Sequence, residues 1–220
     1  MERHFHEELQ KLKQDLLYMA SLAESMVDQS VKALKERKEE LLKEVFQKEE
    51  KLNRLQIEID DRCFELLALH QPMATDLRFI IATMKITSDL ERIGDLAINI
   101  AQNTTSLLKH PPLKPLIDIP RMAEIAQKML RDSLDAFVNR DVALARDVVL
   151  RDDEVDALKD QVFRELLTYM ISDPTTIPRA LDLILVSRHL ERVGDHATNI
   201  GEDVIYMVLG KDIRHRAEVI

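Results

Sequence analysis

Leu90-Glu91-Arg92-Ile93-Gly94-Asp95-Leu96-Ala97-Ile98-Asn99-Ile100 returns one hundred residues later as Leu190-Glu191-Arg192-Val193-Gly194-Asp195-His196-Ala197-Thr198-Asn199-Ile200, with eight of the eleven positions identical. A repeat this tight sets the architecture before any local pattern does. Read as helix, Leu90, Ile93, Ala97 and Ile100 form an apolar seam, and Glu91, Asp95 and Asn99 align at i, i+4, i+8 on a narrow polar stripe. Two carboxylates at i, i+4 weaken a helix by a few tenths of a kcal/mol. Glycine at mid-helix costs roughly another 1 kcal/mol relative to alanine. The chain makes both choices twice, so something compensates them. A glycine without a side chain lets another helix or a bound group come close.

Outward from the repeat, composition narrows the class. Only four glycines occur in 220 residues, and Gly94 and Gly194 are two of them. Period-2 alternation is not sustained anywhere, so the expected fold is all-α. A formal charge of −9 argues against a nucleic-acid footprint, which needs clustered Lys and Arg. The single cysteine, Cys63, cannot form an internal disulfide and fits a reducing, cytoplasmic setting. Neither a signal peptide nor an apolar run of membrane-spanning length is legible.

Prolines divide the chain. Pro72, the group Pro111, Pro112, Pro115 and Pro120, and the pair Pro174 and Pro178 are the breaks, because helix interiors exclude proline. Helices are predicted over about 5–36, 41–69 and 76–108, with Thr75 as N-cap of the third. The second half repeats the plan. Met19, Ala23, Met26 and Ser30 match Met122, Ala126, Met129 and Ser133 at an offset of 103, and the offset becomes 100 by the third helix. The expected architecture is therefore two tandem antiparallel three-helix bundles, six helices in all. Residues 1–110 form the first, 111–120 a stiff proline-rich linker, and 121–220 the second.

Antiparallel geometry says which acids meet. Counted from each turn, Asp156 and Glu191 lie at matching heights, as do Asp152 and Asp195; Asn53 faces Glu91, and Glu49 faces Asp95. Each unit thus sets one acidic stripe against another. Clustered carboxylates repel unless protonated, solvated or bound to cations, and hard or borderline cations such as Mg, Mn, Fe or Zn suit them. The competing reading is a solvated face bridged by Arg92 or Arg192, in a chain where 40 of 220 residues are acidic. His189 and His196, which replace Asp89 and Leu96 of the first unit, read as surface histidines. An enzyme is not expected. Glu-x-x-His, the mark of ferritin-like di-iron sites, is absent, as is a glycine-rich phosphate loop.

These residues resemble the PhoU family, accessory regulators of bacterial phosphate-specific transport. The resemblance rests on the tandem plan, the doubled Leu-Glu-Arg-[Ile/Val]-Gly-Asp, His70-Gln71-Pro72-Met73-Ala74-Thr75-Asp76-Leu77-Arg78, and Asp152-Asp153-Glu154-Val155-Asp156. His70 and Thr75 stand where the family usually has Arg and Ser. The resemblance implies a cytoplasmic homodimer that reaches the membrane only through its partners. Those partners are the ATPase subunit of a phosphate ABC transporter and a phosphate sensor histidine kinase, restrained when phosphate is plentiful. It also implies a multinuclear iron or zinc site, or another divalent cation. Carried over, the metal positions are Glu49, Asn53, Glu91, Asp95, Asp152, Asp156, Glu191 and Asp195, with Asn53 leaving the first cluster one carboxylate short. Arg92, Arg192, Asp76 and Arg78 are the candidate partner contacts. A metal-storage or redox protein and a metal-free helical scaffold are the alternatives.

Overall fold

The structure, a computed structural model, describes residues 2–213; the end of the second expected repeat, 214–220, lies outside them. Three long helices come first: α1 (Glu2–Glu36), α2 (Glu40–His70) and α3 (Ala74–Leu108). After the linker follow α4 (Asp118–Asn139), α5 (Val142–Leu150), α6 (Asp152–Ser172), a single 3₁₀ turn (Pro174–Thr176) and α7 (Ile177–Leu209). No strand occurs among the described residues. Two antiparallel bundles on the three-helix plan result, the second with its middle helix in two pieces, and they share one apolar core.

The sharing follows from which faces are apolar. Helices α1, α3, α7 and α4 pack in a closed ring, with the most extensive contact between α3 and α7. Among the described residues helix α2 touches only α1 and α3, and α6 lies against α4 and α7 on the opposite flank. Across the α3–α7 seam the chains run antiparallel. Arg78 Nε donates to the Met207 carbonyl at 2.9 Å, Lys85 Nζ meets Asp203 at 2.7 Å, and His196 Nδ1 lies 2.8 Å from Asp89. Lys13 Nζ, donating to the Val138 carbonyl at 3.0 Å, ties α1 to α4 in the same sense. The repeated motif sits at the middle of this seam. Leu90, Ile93, Ala97 and Ile100 are all buried, as are Leu190, Val193, Ala197 and Ile200.

The ends of the helices show local chemistry at work. Gln71, at the C-cap of α2, takes the left-handed conformation (φ 46°), and its N–H closes on the Leu67 carbonyl. Thr75 is not the N-cap of α3: the helix begins at Ala74, after an extended Met73, with no capping side chain. Pro72 explains the difference, since it ends α2 and forces the chain to restart at once. Pro120 belongs to the first turn of α4, not to the linker, and a missing N–H costs nothing there. Asp141 caps α5, accepting from Ala143 N and Leu144 N at 2.9 and 3.0 Å.

The helix expected in the middle of the second unit is broken at Arg151 into α5 and α6, so the described residues hold seven α-helices, not six. Two causes act together. Asp152, Asp153 and Glu154 occupy the first turn of α6, where the helix dipole favours negative charge. Gly201 stands where the first unit has Ala101, and a Cβ on it would lie 3.0 Å from the Ala145 carbonyl oxygen. The missing side chain lets α5 close onto α7.

Candidate functional site: two facing carboxylate stripes

In the first unit, Glu49 on α2 faces Asp95 on α3, and Glu91 lies one turn from Asp95. Burial, with the neighbouring Asp95 charge adding to it, raises the pKa of both Glu49 and Glu91. Asn53 is exposed. Arg92 reaches Asp95 at 3.4 Å and Glu91 at 3.6 Å while 61% exposed, and His196 from α7 also lies close enough to oppose the rise at Glu91. Gly94 holds the two helices together here, because a Cβ on it would come within 3.0 Å of Leu52 Cδ2.

The second unit is charged differently. Lys159, one turn beyond Asp156 on α6, donates to Asp156 Oδ1 at 2.8 Å and to Glu191 Oε1 at 2.9 Å. The ammonium joins the two acids that the heights had matched. Asp152 sits beside Gly194, whose absent Cβ would lie 3.6 Å from Asp152 Oδ1, and Thr198 donates to that same oxygen at 3.5 Å. Burial first, then Asp195 and Asp156, push Asp152 up to about 6. Burial, Glu191 and Asp156 raise Asp195 in the same way.

The pH consequence has a definite sign. Between the ordinary value of 3.8 and about 6, the folded chain keeps a proton on Asp152 that the unfolded chain has lost. Stability from this group therefore falls as pH rises through that window. Asp152→Asn should add on the order of 1 kcal/mol at neutral pH, after allowing for solvent screening at a half-buried site, and nothing near pH 4. Urea unfolding of both forms across the window checks this; parallel profiles would assign the pH slope to other groups.

A metal can be tested against these donors. In the first unit the charge and the donor type suit a divalent cation: three carboxylates on facing turns carry more negative charge than exposed Arg92 balances, and their oxygens are hard ligands. In the second unit the fit fails, because an ammonium already bridges Asp156 and Glu191. In neither unit do three His, Cys, Asp or Glu side chains close on one point, among the described residues.

The remaining candidates divide. Arg192 is exposed beside the second stripe, while Arg78 is committed to the seam through Met207. Asp76 is half-buried at the wall of a cavity of about 190 Å³ lined also by Lys13, Phe79, Phe137 and Arg140. The two histidines are not surface groups. His196 is half-buried in the seam against Asp89, with Asn199 Nδ2 also 3.4 Å from that carboxylate. His189 keeps a buried Nδ1 without a hydrogen bond, and its pKa is lowered by burial and by Arg192 and Arg188. Cys63 is an inert thiol, since burial pushes it up to about 12.

Lys159 is the residue the sequence reading passed over. Its signal was present in the offset of 103, which aligns Asp156-x-x-Lys159 with Asn53-x-x-Gln56. A second feature was also unread. The α6 stripe of Asp152, Asp156 and Lys159 continues at helical spacing into exposed Phe163, Leu167 and Ile171. On α7, exposed Ile177, Leu181 and Leu185 lie at matching heights across the turn. One face of this hairpin is thus acidic at one end and apolar at the other.

Comparison with known proteins points one way. A family model described as the PhoU domain matches twice, at residues 16–104 and 119–204. A phosphate-specific transport system accessory protein PhoU homolog of Aquifex aeolicus is 42% identical over 209 residues, covering 95% of each chain. The homolog of that name from Pseudomonas aeruginosa is 39% identical over 214 residues, 97% of this chain and 88% of its own. Among solved structures, PhoU from Pseudomonas aeruginosa superposes with a TM-score of 0.91 over 94% of this chain and all of that one, at 39% identity. The phosphate transport system regulatory protein PhoU from Streptococcus pneumoniae gives 0.86 at 29% identity, covering 94% and 98%.

Proposed function

The chain belongs to the PhoU family, and from that premise we propose that it regulates phosphate uptake and phosphate-starvation signalling through protein contact. Its partners in this reading are the ATPase subunit of a phosphate ABC transporter and a sensor histidine kinase, both restrained when phosphate is plentiful. It works as a homodimer in the cytoplasm and meets the membrane through these partners; no helix among the described residues is long and apolar enough to cross one. The names of its relatives, accessory and regulatory proteins of phosphate transport, support the class of role and its non-enzymatic character.

The observation that carries a contact mechanism is the α6–α7 face. Six large apolar side chains stand exposed there, Phe163, Leu167 and Ile171 on α6 and Ile177, Leu181 and Leu185 on α7, and counting from the turn puts them at matching heights. Contiguous exposed apolar surface of a few hundred Å² marks interaction sites, and charges at its edge steer and orient a partner. Divalent metal, where bound, would be held in the first unit by Glu49, Glu91 and Asp95. There it would supply positive charge between α2 and α3 and fix their spacing.

Arg192→Glu and Leu181→Asp test the reading. Both should leave the circular dichroism of the free protein unchanged, since Arg and Glu have similar helix propensities and Leu181 is half exposed. Capture of the transporter ATPase or the kinase should weaken about tenfold or more for each variant, as for a hot-spot or steering charge. Unchanged capture of both partners by both variants would remove this face from the mechanism.

A further inference from the structure

We propose that Lys159 is the resident cation of the second carboxylate face and keeps divalent metal out of it, so that metal enters the first face selectively. This rests on the metal reading above. The two units are built to one plan, yet Asp156 and Lys159 stand where the first unit has Asn53 and Gln56. The exchange is paired. Four carboxylates with one ammonium carry the same net charge as the three carboxylates Glu49, Glu91 and Asp95, so the acid gained in the second unit arrives with its own counter-ion.

Geometry makes that counter-ion an obstacle. Its ammonium takes one oxygen from each helix, Asp156 Oδ1 at 2.8 Å and Glu191 Oε1 at 2.9 Å, and so already neutralises part of the charge that would attract a dication. Its side chain is 29% exposed, and Glu191 beside it is 20% exposed. A dication entering there has to displace the ammonium and then bear its repulsion at close range. Arg92 in the first unit is no such barrier. It sits 3.4 to 3.6 Å from its acids, 61% exposed, and can turn into solvent without leaving the surface.

Manganese(II) titration of the full-length protein, stripped with chelator and followed by calorimetry and by electron paramagnetic resonance of free Mn²⁺, tests the assignment. Binding to the unsubstituted chain should be lost in Glu91→Gln with Asp95→Asn and retained in Glu191→Gln with Asp195→Asn. Lys159→Gln, which copies the first unit, should open a second site at least about tenfold tighter than in the parent, the scale on which a neighbouring group tunes metal affinity. The transplant Asn53→Asp with Gln56→Lys should weaken the first site by a similar factor. Circular dichroism of each variant checks that it folds, and the transplant tests the idea even if Lys159→Gln does not. Equal loss of Mn²⁺ in the two double carboxylate variants would overturn exclusion by Lys159 and leave the metal reading standing. Binding confined to the first face even in Lys159→Gln would assign the exclusion elsewhere. No Mn²⁺ binding in any form would overturn both.

Discussion

Phe137→Ala should lower the stability of the protein by about 3–5 kcal/mol, the cost of emptying a fully buried aromatic site. Phe137 ends α4, is 1% exposed, and stacks on Phe79 of α3 with ring centroids 5.2 Å apart and planes 20° from parallel. It therefore joins the second unit to the first, where α1 also reaches across through Lys13 to the neighbouring Val138 carbonyl. At the offsets of 103 and 100, its counterparts at the other end of the seam are Leu34 and Arg179, so the aromatic stack has no duplicate to share the load. Urea denaturation should show a lower midpoint with an unchanged slope. Phe64→Ala, at a site 58% exposed, is the control and should stay within about 1 kcal/mol of the parent. Equal losses in the two variants would mean that the seam is not packed as described.

The helices were legible because their evidence is redundant. Helical periodicity, proline positions and an internal copy all agree, and the predicted bounds fall within a few residues of those observed. The break at Arg151 was not legible, because Arg151-Asp152-Asp153-Glu154 continues an amphipathic pattern as well as it starts a new one. One of its two causes, Gly201, lies fifty positions away on another helix. The candidate site divides in the same way. Facing of Asp156 with Glu191 follows from counting residues back from one turn, so sequence suffices. The role of Lys159 depends on whether its side chain folds inward to the acids or outward to water, and spacing alone does not decide that. The histidines misled for a related reason: His196 and Asp89 belong to different units, and their pairing needs the register of α3 on α7.

Glu165→Ala should cost up to about 3 kcal/mol, and most of that loss should appear as release of the linker. Lys114 lies in the proline-rich segment between the units with its side chain only 3% exposed, and Glu165 of α6 is its ion-pair partner. The two partners are not equivalent. Glu165 is 37% exposed and can be solvated if left alone, whereas the Lys114 side chain, 3% exposed, would be left buried without its counter-ion. Removing the acid should thus hurt far more than removing the base. The chain can relieve the stranded charge by swinging the segment outward, because the ties on either side are elsewhere. Arg37 holds the Leu108 and His110 carbonyls at 3.0 and 2.6 Å, and Arg179 holds that of Pro111 at 3.1 Å. Opening should therefore be confined to residues beyond Pro111. Amide exchange at Leu113, Lys114 and Leu116 should accelerate in Glu165→Ala while the helices keep their protection. Lys114→Met alone should cost less than about 1 kcal/mol, because an apolar side chain suits the site and Glu165 returns to water. Lys114→Met combined with Glu165→Ala should recover most of the loss. If the two single variants cost the same, the pair is not the clamp on the linker, and the backbone ties from Arg37 and Arg179 hold it alone.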